Sequence, residues 1–305
     1  MTSSLAAGQA AEPLWVYLTV YKEYAATLKA GFEKKNPGID VQLFQAGSEK
    51  IQSKVEAELL AQKLQADLLM TSDPFFSVDL EKRGLLLVRP GHKVIETNYN
   101  SVMVMICNRA LLPADRPVAF SDLTQARFKN KTQIGSPLES GTFFTTVAYL
   151  ENRYGWDYFK KLRENGVSSN GGNSTVIQKV ESGEKKVGIA LLENVLAAQK
   201  RGSPIDVIYP TDGGIVIPST MVIMKNTSHS EAASRFSAYI TSAEGQKLLR
   251  EGLMYPVLKT VPDPDGAKPL NAVTRNATPW TPELMKKIAD ESREIKKKFS
   301  DLVLE

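Results

Sequence analysis

Leu14-Trp15-Val16-Tyr17-Leu18-Thr19, then Tyr24 to Lys35, then Ile39-Asp40-Val41-Gln42-Leu43-Phe44: the reading of this succession decides the fold. The first run is aromatic and β-branched, too short for a helix and suited to a pleated strand. The second places its apolar residues close to the helical period and is stopped by Asn36-Pro37-Gly38. The third alternates apolar and polar residues, which predicts a strand. Strand, helix and strand in this order define a right-handed βαβ unit and a parallel sheet.

Working outward, Gly47-Ser48 makes a turn, Ile51 to Lys63 has helical spacing, and Ala66 to Met70 reads as the next strand. The apolar run Tyr99 to Asn108 is a long strand, and fresh units begin after Pro113. A short strand end at Gln133-Ile134-Gly135 precedes helices at Gly141 to Arg153, Trp156 to Glu164 and Ser174 to Ser182, then a strand at Val187 to Leu191. Gly214 to Met224 forms a second long strand that returns toward the first units. Helices follow at Ser230 to Ile240 and Ala243 to Glu251, then a Pro-rich stretch, and Thr281 to Leu304 reads as one long amphipathic helix. The expected architecture is α/β: two interleaved lobes with mixed, mostly parallel sheets, joined by a hinge of two strands. Lobe one is expected over 13–103 and 224–274 and lobe two over 104–223, with the helix 281–304 packed on one of them.

Composition removes several function classes. At 305 residues the chain is long for one core, and 42% hydrophobic with 24% charged residues is ordinary for a globular protein. The net charge of +4 is spread without a basic block, which argues against a nucleic-acid partner. The lysines at 286, 287 and 296–298 read as a solvated helix face. No run of roughly 18 apolar residues could span a membrane. The opening MTSSLAAGQAAE has neither a basic start nor an apolar stretch, so no intact secretory signal is read there; its small residues would suit the trimmed tail of one. Cys107, the single cysteine, lies in an apolar run and reads as core. The two histidines, His92 and His229, have no partner at metal-ligand spacing, and no nucleophile elbow, P-loop or dinucleotide fingerprint is present. No metal, cofactor or catalytic residue is therefore expected.

Val16-Tyr17 with Phe32 to Lys35, Ala66-Asp67 leading to Thr71-Ser72-Asp73-Pro74, Glu81 to Leu85, Gly135 to Thr142, Val180 to Glu184 with Val187 to Ile189, and Phe236 to Leu248 occur in an order that resembles the bacterial periplasmic solute-binding proteins of ABC importers. The resemblance, which covers nearly the whole chain after Pro13, is to the branch containing ferric-ion, phosphonate and sugar-phosphate binders. It implies a type II periplasmic-binding fold, a ligand between two lobes, closure on binding, delivery to a permease in the inner membrane, and a monomer. In ferric-binding members an adjacent tyrosine pair after the strand resembling Val187 to Leu191 supplies metal ligands. This chain has Leu192-Glu193-Asn194 there, which disfavours a ferric ion.

Ser140-Gly141-Thr142 stands directly before an apolar helix, where free backbone N–H groups and the helix dipole favour an anion. The two hydroxyls add donors and Gly141 permits close approach. The resemblance implies an anion holder at the same position, so the expected ligand is a small phosphorylated or phosphonate-type organic anion. A plain N-cap role for Ser140 is the competing reading. Loops at carboxyl ends of parallel strands should face the same cleft, which adds Thr19, Tyr21, Ser48, Ser72 and Asp73 from lobe one. Asn173 and Glu193 are expected from lobe two, and Thr220 from the returning strand. Caps and turns compete for Ser48, Ser72 and Asp73. Three alternatives stay open: a ferric-ion carrier, a transferase using Asp73 or Glu193 as general base, and a sensor that presents its ligand to a receptor.

Overall fold

The structure, a computed structural model, describes residues 11–304. Most of the opening segment read above as a trimmed signal therefore lies outside the described residues. The chain begins with β1 (Glu12–Leu18), α1 (Lys22–Lys35), β2 (Ile39–Gln45), α2 (Ser48–Leu60), β3 (Leu68–Thr71) and α3 (Pro74–Lys82). Strands β1–β2 and β1–β3 pair in parallel, as the opening succession requires. Both faces of β1 are buried: Val16 and Leu18 pack with Leu28, Phe32 and Phe236, while Tyr17 packs with Ile51, Val55 and Phe76.

The long strand β4 (Glu96–Asn108) then leads to β5 (Thr132–Ile134), α4 (Gly141–Tyr154), α5 (Trp156–Glu164), β6 (Ser168–Ser169), α6 (Asn173–Glu181), β7 (Val187–Leu191), α7 (Leu192–Lys200), β8 (Ile205–Ile208) and β9 (Ile215–Ile223). The remainder is α8 (Ser230–Thr241), α9 (Ala243–Glu251), β10 (Tyr255–Pro256), α10 (Leu270–Val273), α11 (Pro282–Asp290) and α12 (Ser292–Phe299). Along the sheet the order is β2-β1-β3-β9-β4-β7-β5-β6, with β8 and β10 also on β4. The chain is parallel within each outer group, and β9 and β4 run antiparallel to their neighbours in the middle.

Those two central strands carry the backbone between two cores. Strand β9 pairs with β3 through Thr220 to Ile223 and with β4 along Glu96 to Met103, and β4 continues onto β7 through Met103 to Cys107. A bulge interrupts the β4–β9 register between Thr97 and Tyr99. The second core is the larger and gathers Val104, Ile106 and Cys107 of β4 with Phe143, Phe144, Val147 and Phe159. Each such side chain, taken fully out of water, contributes roughly 1.5–3 kcal/mol before entropy is counted.

The expected single helix 281–304 is broken. Thr281 caps α11 through its hydroxyl, which accepts from Leu284 N, but Glu291 (φ −94°, ψ 5°) leaves the helical region, and the last residues form a π turn, Ser300–Leu304. The break re-aims the chain, because α11 lies along α3 while α12 packs toward α4. Ile288, Ile295, Phe299 and Val303 all join the second core. Lys296 is not part of a solvated face: its ammonium lies 2.8 Å from a Glu49 carboxylate oxygen, with both side chains 18% exposed, and sits 4.8 Å over the Phe144 ring.

Candidate ligand-binding site

A cavity of about 250 Å³ lies between the two cores. Helices α1, α2, α4, α6 and α7 all begin on it, through Tyr21, Gly47 and Ser48, Ser140 to Thr142, Gly172 and Asn173, and Leu191 and Glu193. At none of these five starts does the N-cap side chain accept from a backbone N–H of its own helix. The N-cap side chains thus leave the first N–H groups unanswered, although at α7 the Glu193 carboxyl accepts from its own backbone N–H, and each start adds a partial positive charge to the same space. No lysine or arginine lines the cavity; its ionisable carboxyl groups are Glu139 and Glu193.

The α4 start is the most elaborate. Ser140 Oγ lies 3.0 Å from Thr142 Oγ1, and Asn173 Nδ2 donates to the same Thr142 oxygen at 3.0 Å. Asn173 Oδ1 accepts from Leu191 N at 2.9 Å, so one amide fastens the starts of α4, α6 and α7 together. Gly141 faces the first core closely: a Cβ there would meet Ser48 Cβ at 2.6 Å and Asp73 Cβ at 3.1 Å. Only glycine lets the α4 start approach the α2 start this far.

On the opposite wall three hydroxyls cluster. Thr19 Oγ1 lies 3.0 Å from Ser72 Oγ and 3.4 Å from Tyr99 Oη, and Ser72 Oγ is 3.4 Å from Tyr99 Oη. Tyr21 Oη donates to Asn194 Oδ1 at 2.5 Å, a direct bond from the first core's α1 to the second core's α7. Tyr21 as a residue is 38% exposed, but its hydroxyl end is enclosed, and that enclosure, with the nearby Glu193 second, raises the phenol's pKa. Glu193 is 5% exposed and accepts from Ser101 Oγ at 2.5 Å. Burial pushes its carboxyl up to about 7, against the partial relief given by Ser101.

Of the residues expected from sequence, Thr19, Tyr21, Ser48, Ser72, Ser140, Gly141, Thr142, Asn173 and Glu193 line this cavity. Two do not. Asp73 turns back on its own helix, where Oδ1 accepts from Phe75 N at 3.0 Å and Phe76 N at 3.3 Å, and its side chain borders a separate cavity beneath α12. Thr220 is 2% exposed and is engaged by Ser77 Oγ at 2.7 Å, because its place on β9 points it toward α3. The N-cap alternative therefore describes Asp73 and fails for Ser140. Sequence reasoning missed Tyr99, Glu139 and Met254, which also line the cavity. Tyr99 was absorbed into an apolar strand, although a hydroxyl on that strand was the available signal. Among the described residues no group of three or more His, Cys, Asp or Glu side chains could hold a metal.

A cleft between two α/β cores joined by paired strands, walled by helix starts, defines a protein that binds a small solute. A family model described as bacterial extracellular solute-binding protein matches residues 19–252, and the chain belongs to that family. Among relatives, an uncharacterised protein of Haemophilus influenzae is 26% identical over 136 residues, 43% of this chain and 39% of that protein, so the chain spans well under half of that relative's length. A putative 2-aminoethylphosphonate-binding periplasmic protein of Salmonella typhimurium is 23% identical over 268 residues, 81% of this chain and 79% of the relative. The periplasmic binding protein AfuA of Actinobacillus pleuropneumoniae, solved with fructose-6-phosphate, matches with a TM-score of 0.82 at 21% identity over 96% of this chain and 99% of that one. Iron-bound HitA of Pseudomonas aeruginosa matches with a TM-score of 0.81 at 22% identity over 94% and 99%. These likenesses show the fold. As a member of that family the chain is a solute-binding protein, a carrier of a small molecule and not an enzyme. Members of the family are periplasmic, and no helix among the described residues is long and apolar enough to cross a membrane.

Proposed function

We propose that the cleft captures a small phosphorylated or phosphonate-type organic anion, and that the two lobes close on it by bending at β4 and β9. The observation that carries this reading is the convergence of five helix starts, none capped by its N-cap side chain, on a cavity that among the described residues has no cationic side chain. Such a cavity solvates an anion with backbone N–H groups and the Ser140 and Thr142 hydroxyls. Closure removes water from the anion, which strengthens each of these contacts. Glu193, on the same cavity, accepts a hydroxyl or amine of the organic part.

The Salmonella relative named for 2-aminoethylphosphonate and the fructose-6-phosphate complex support the phosphoryl class. The iron-bound neighbour is less useful as a guide to this ligand. A ferric ion needs several anionic oxygens, and the stretch after β7 offers Glu193 and the neutral Asn194 in place of a tyrosine pair. A thermal-shift panel of phosphates, phosphonates and ferric ion tests the reading, since stabilisation follows free ligand by mass action. Phosphonates should raise Tm and ferric ion should not; stabilisation by ferric ion alone overturns the proposal.

A further inference from the structure

The space between the cores does not end at Tyr21 and Glu193. Both side chains also line a second cavity of about 330 Å³, which opens outward between the first turn of α1, helices α6 and α7, and the turn at Gly252 and Leu253. The two chambers share a wall, and the hydrogen bond from Tyr21 to Asn194 crosses it. The outer floor is apolar, made by Tyr24, Ile177, Ala197 and Leu253. Its rim carries Glu23, Glu181 and Arg201, and none of the three is in an ion pair among the described residues. With Glu193, itself 5% exposed, carboxyl groups outnumber cations three to one around this cavity. The inner chamber is built for negative charge from backbone N–H groups, and the outer one is built for positive charge from carboxylates.

We propose that the outer cavity is a second subsite of the same cleft, one that takes the ammonium-bearing far end of an extended phosphonate or phosphate ester, with the Tyr21–Asn194 contact as the gate between the chambers. The proposal rests on the anionic reading of the inner chamber. Methylenes of such a ligand lie on the apolar floor, and its ammonium meets Glu23 and Glu181 at the rim. A ligand too short to pass the gate leaves the Tyr21–Asn194 bond intact, so this bond grades ligands by length.

Calorimetric titration of the intact protein tests the idea with inorganic phosphate, methylphosphonate and a series of aminoethyl-, aminobutyl- and aminohexylphosphonate, each paired with the uncharged alkylphosphonate of equal length. Affinity should climb with length in the amino series by about tenfold or more, and well beyond the alkyl series. The double variant Glu23→Gln with Glu181→Gln, at two exposed positions, should cut the amino-over-alkyl advantage about fivefold. Tyr21→Phe, which removes the gate bond, should favour the long ligands over the short ones. Equal affinities of amino and alkyl ligands at every length, or an advantage indifferent to the two Glu→Gln changes, would overturn the outer subsite. If phosphate and methylphosphonate bind while lengthening gains nothing, the outer subsite alone is lost; if neither binds, the inner anion site is wrong and the proposal goes with it.

Discussion

Helices α3 and α4 both open after a loop rich in hydroxyls, and they complete their first turns in opposite ways. At α3 the Asp73 carboxyl accepts from two backbone N–H groups of its own helix. At α4 the Ser140 hydroxyl leaves the backbone N–H groups unbonded and pairs with the Thr142 hydroxyl, and that helix start opens on the cleft. A capped start has had its donors answered inside the protein, whereas an uncapped start on a cavity keeps them for a guest. Ser72-Asp73-Pro74 and Ser140-Gly141-Thr142 both precede a helix, and their difference lies in whether the N-cap side chain, Asp73 or Ser140, bonds the first backbone N–H groups.

The sharpest way to break this comparison is to remove the α4 hydroxyls. Ser140→Ala with Thr142→Ala should weaken phosphonate binding by about 2–4 kcal/mol and cost the free protein only the Asn173–Thr142 bond, about 0.5–1.5 kcal/mol, because neither hydroxyl caps α4. Calorimetry and a melting curve read the two effects separately, and a loss of Tm without a loss of affinity would make Ser140 an ordinary cap.

Next in size is a dependence on pH. Glu193 has a carboxyl raised from 4.5 to about 7, and the folded protein therefore holds that proton more tightly than the unfolded chain does. Its stabilising effect is complete below about pH 4.5 and disappears as pH rises through about 7, a change on the order of 3 kcal/mol for this group. Asp73, raised from 3.8 to about 7 by burial and then by Glu49, changes in the same direction. Chemical denaturation between pH 4 and 8 should show the decline, Glu193→Gln should flatten part of it, and a profile identical in the variant would remove Glu193 as its source.

Gly141→Ala should cost ligand affinity about 1–3 kcal/mol, since the new methyl would collide with Ser48 and hold the two helix starts apart. Asp73→Ala should lower stability by about 1–2 kcal/mol and Asp73→Asn by much less, because the amide oxygen still accepts from α3. If Asp73→Ala instead abolished binding without altering Tm, the two helix starts would have exchanged roles.

Much of the fold could be read from local pattern. The opening strand, helix and strand, the helix at Gly141 and the two long strands that pass between cores all declared themselves through period and stop signals. What escaped depended on partners distant in sequence. The break at Glu291 has no proline or glycine to announce it and follows from α11 and α12 packing on different neighbours. Thr220 and Tyr99 both lie on the central strands, and the bulge and pairing register decide that one faces Ser77 while the other reaches the cleft. The helix starts were legible because Gly, Ser and Thr before an apolar run mean the same thing wherever they occur. Met254 was not legible, since no local rule places a methionine after α9 in the cavity wall.

The halves of the broken C-terminal segment have a consequence for a chain still being made. Phe299 closes over Phe159 with ring centres 5.4 Å apart, Trp280 covers Phe75 at 5.6 Å, and Lys296 reaches across to Glu49. Until these turns are in place, the Phe75 and Phe159 rings of the second core lie open to proteases and to other chains. Helices α11 and α12 thus serve as a seal over the second core, and a copy in which they are not yet seated advertises itself by what it leaves uncovered.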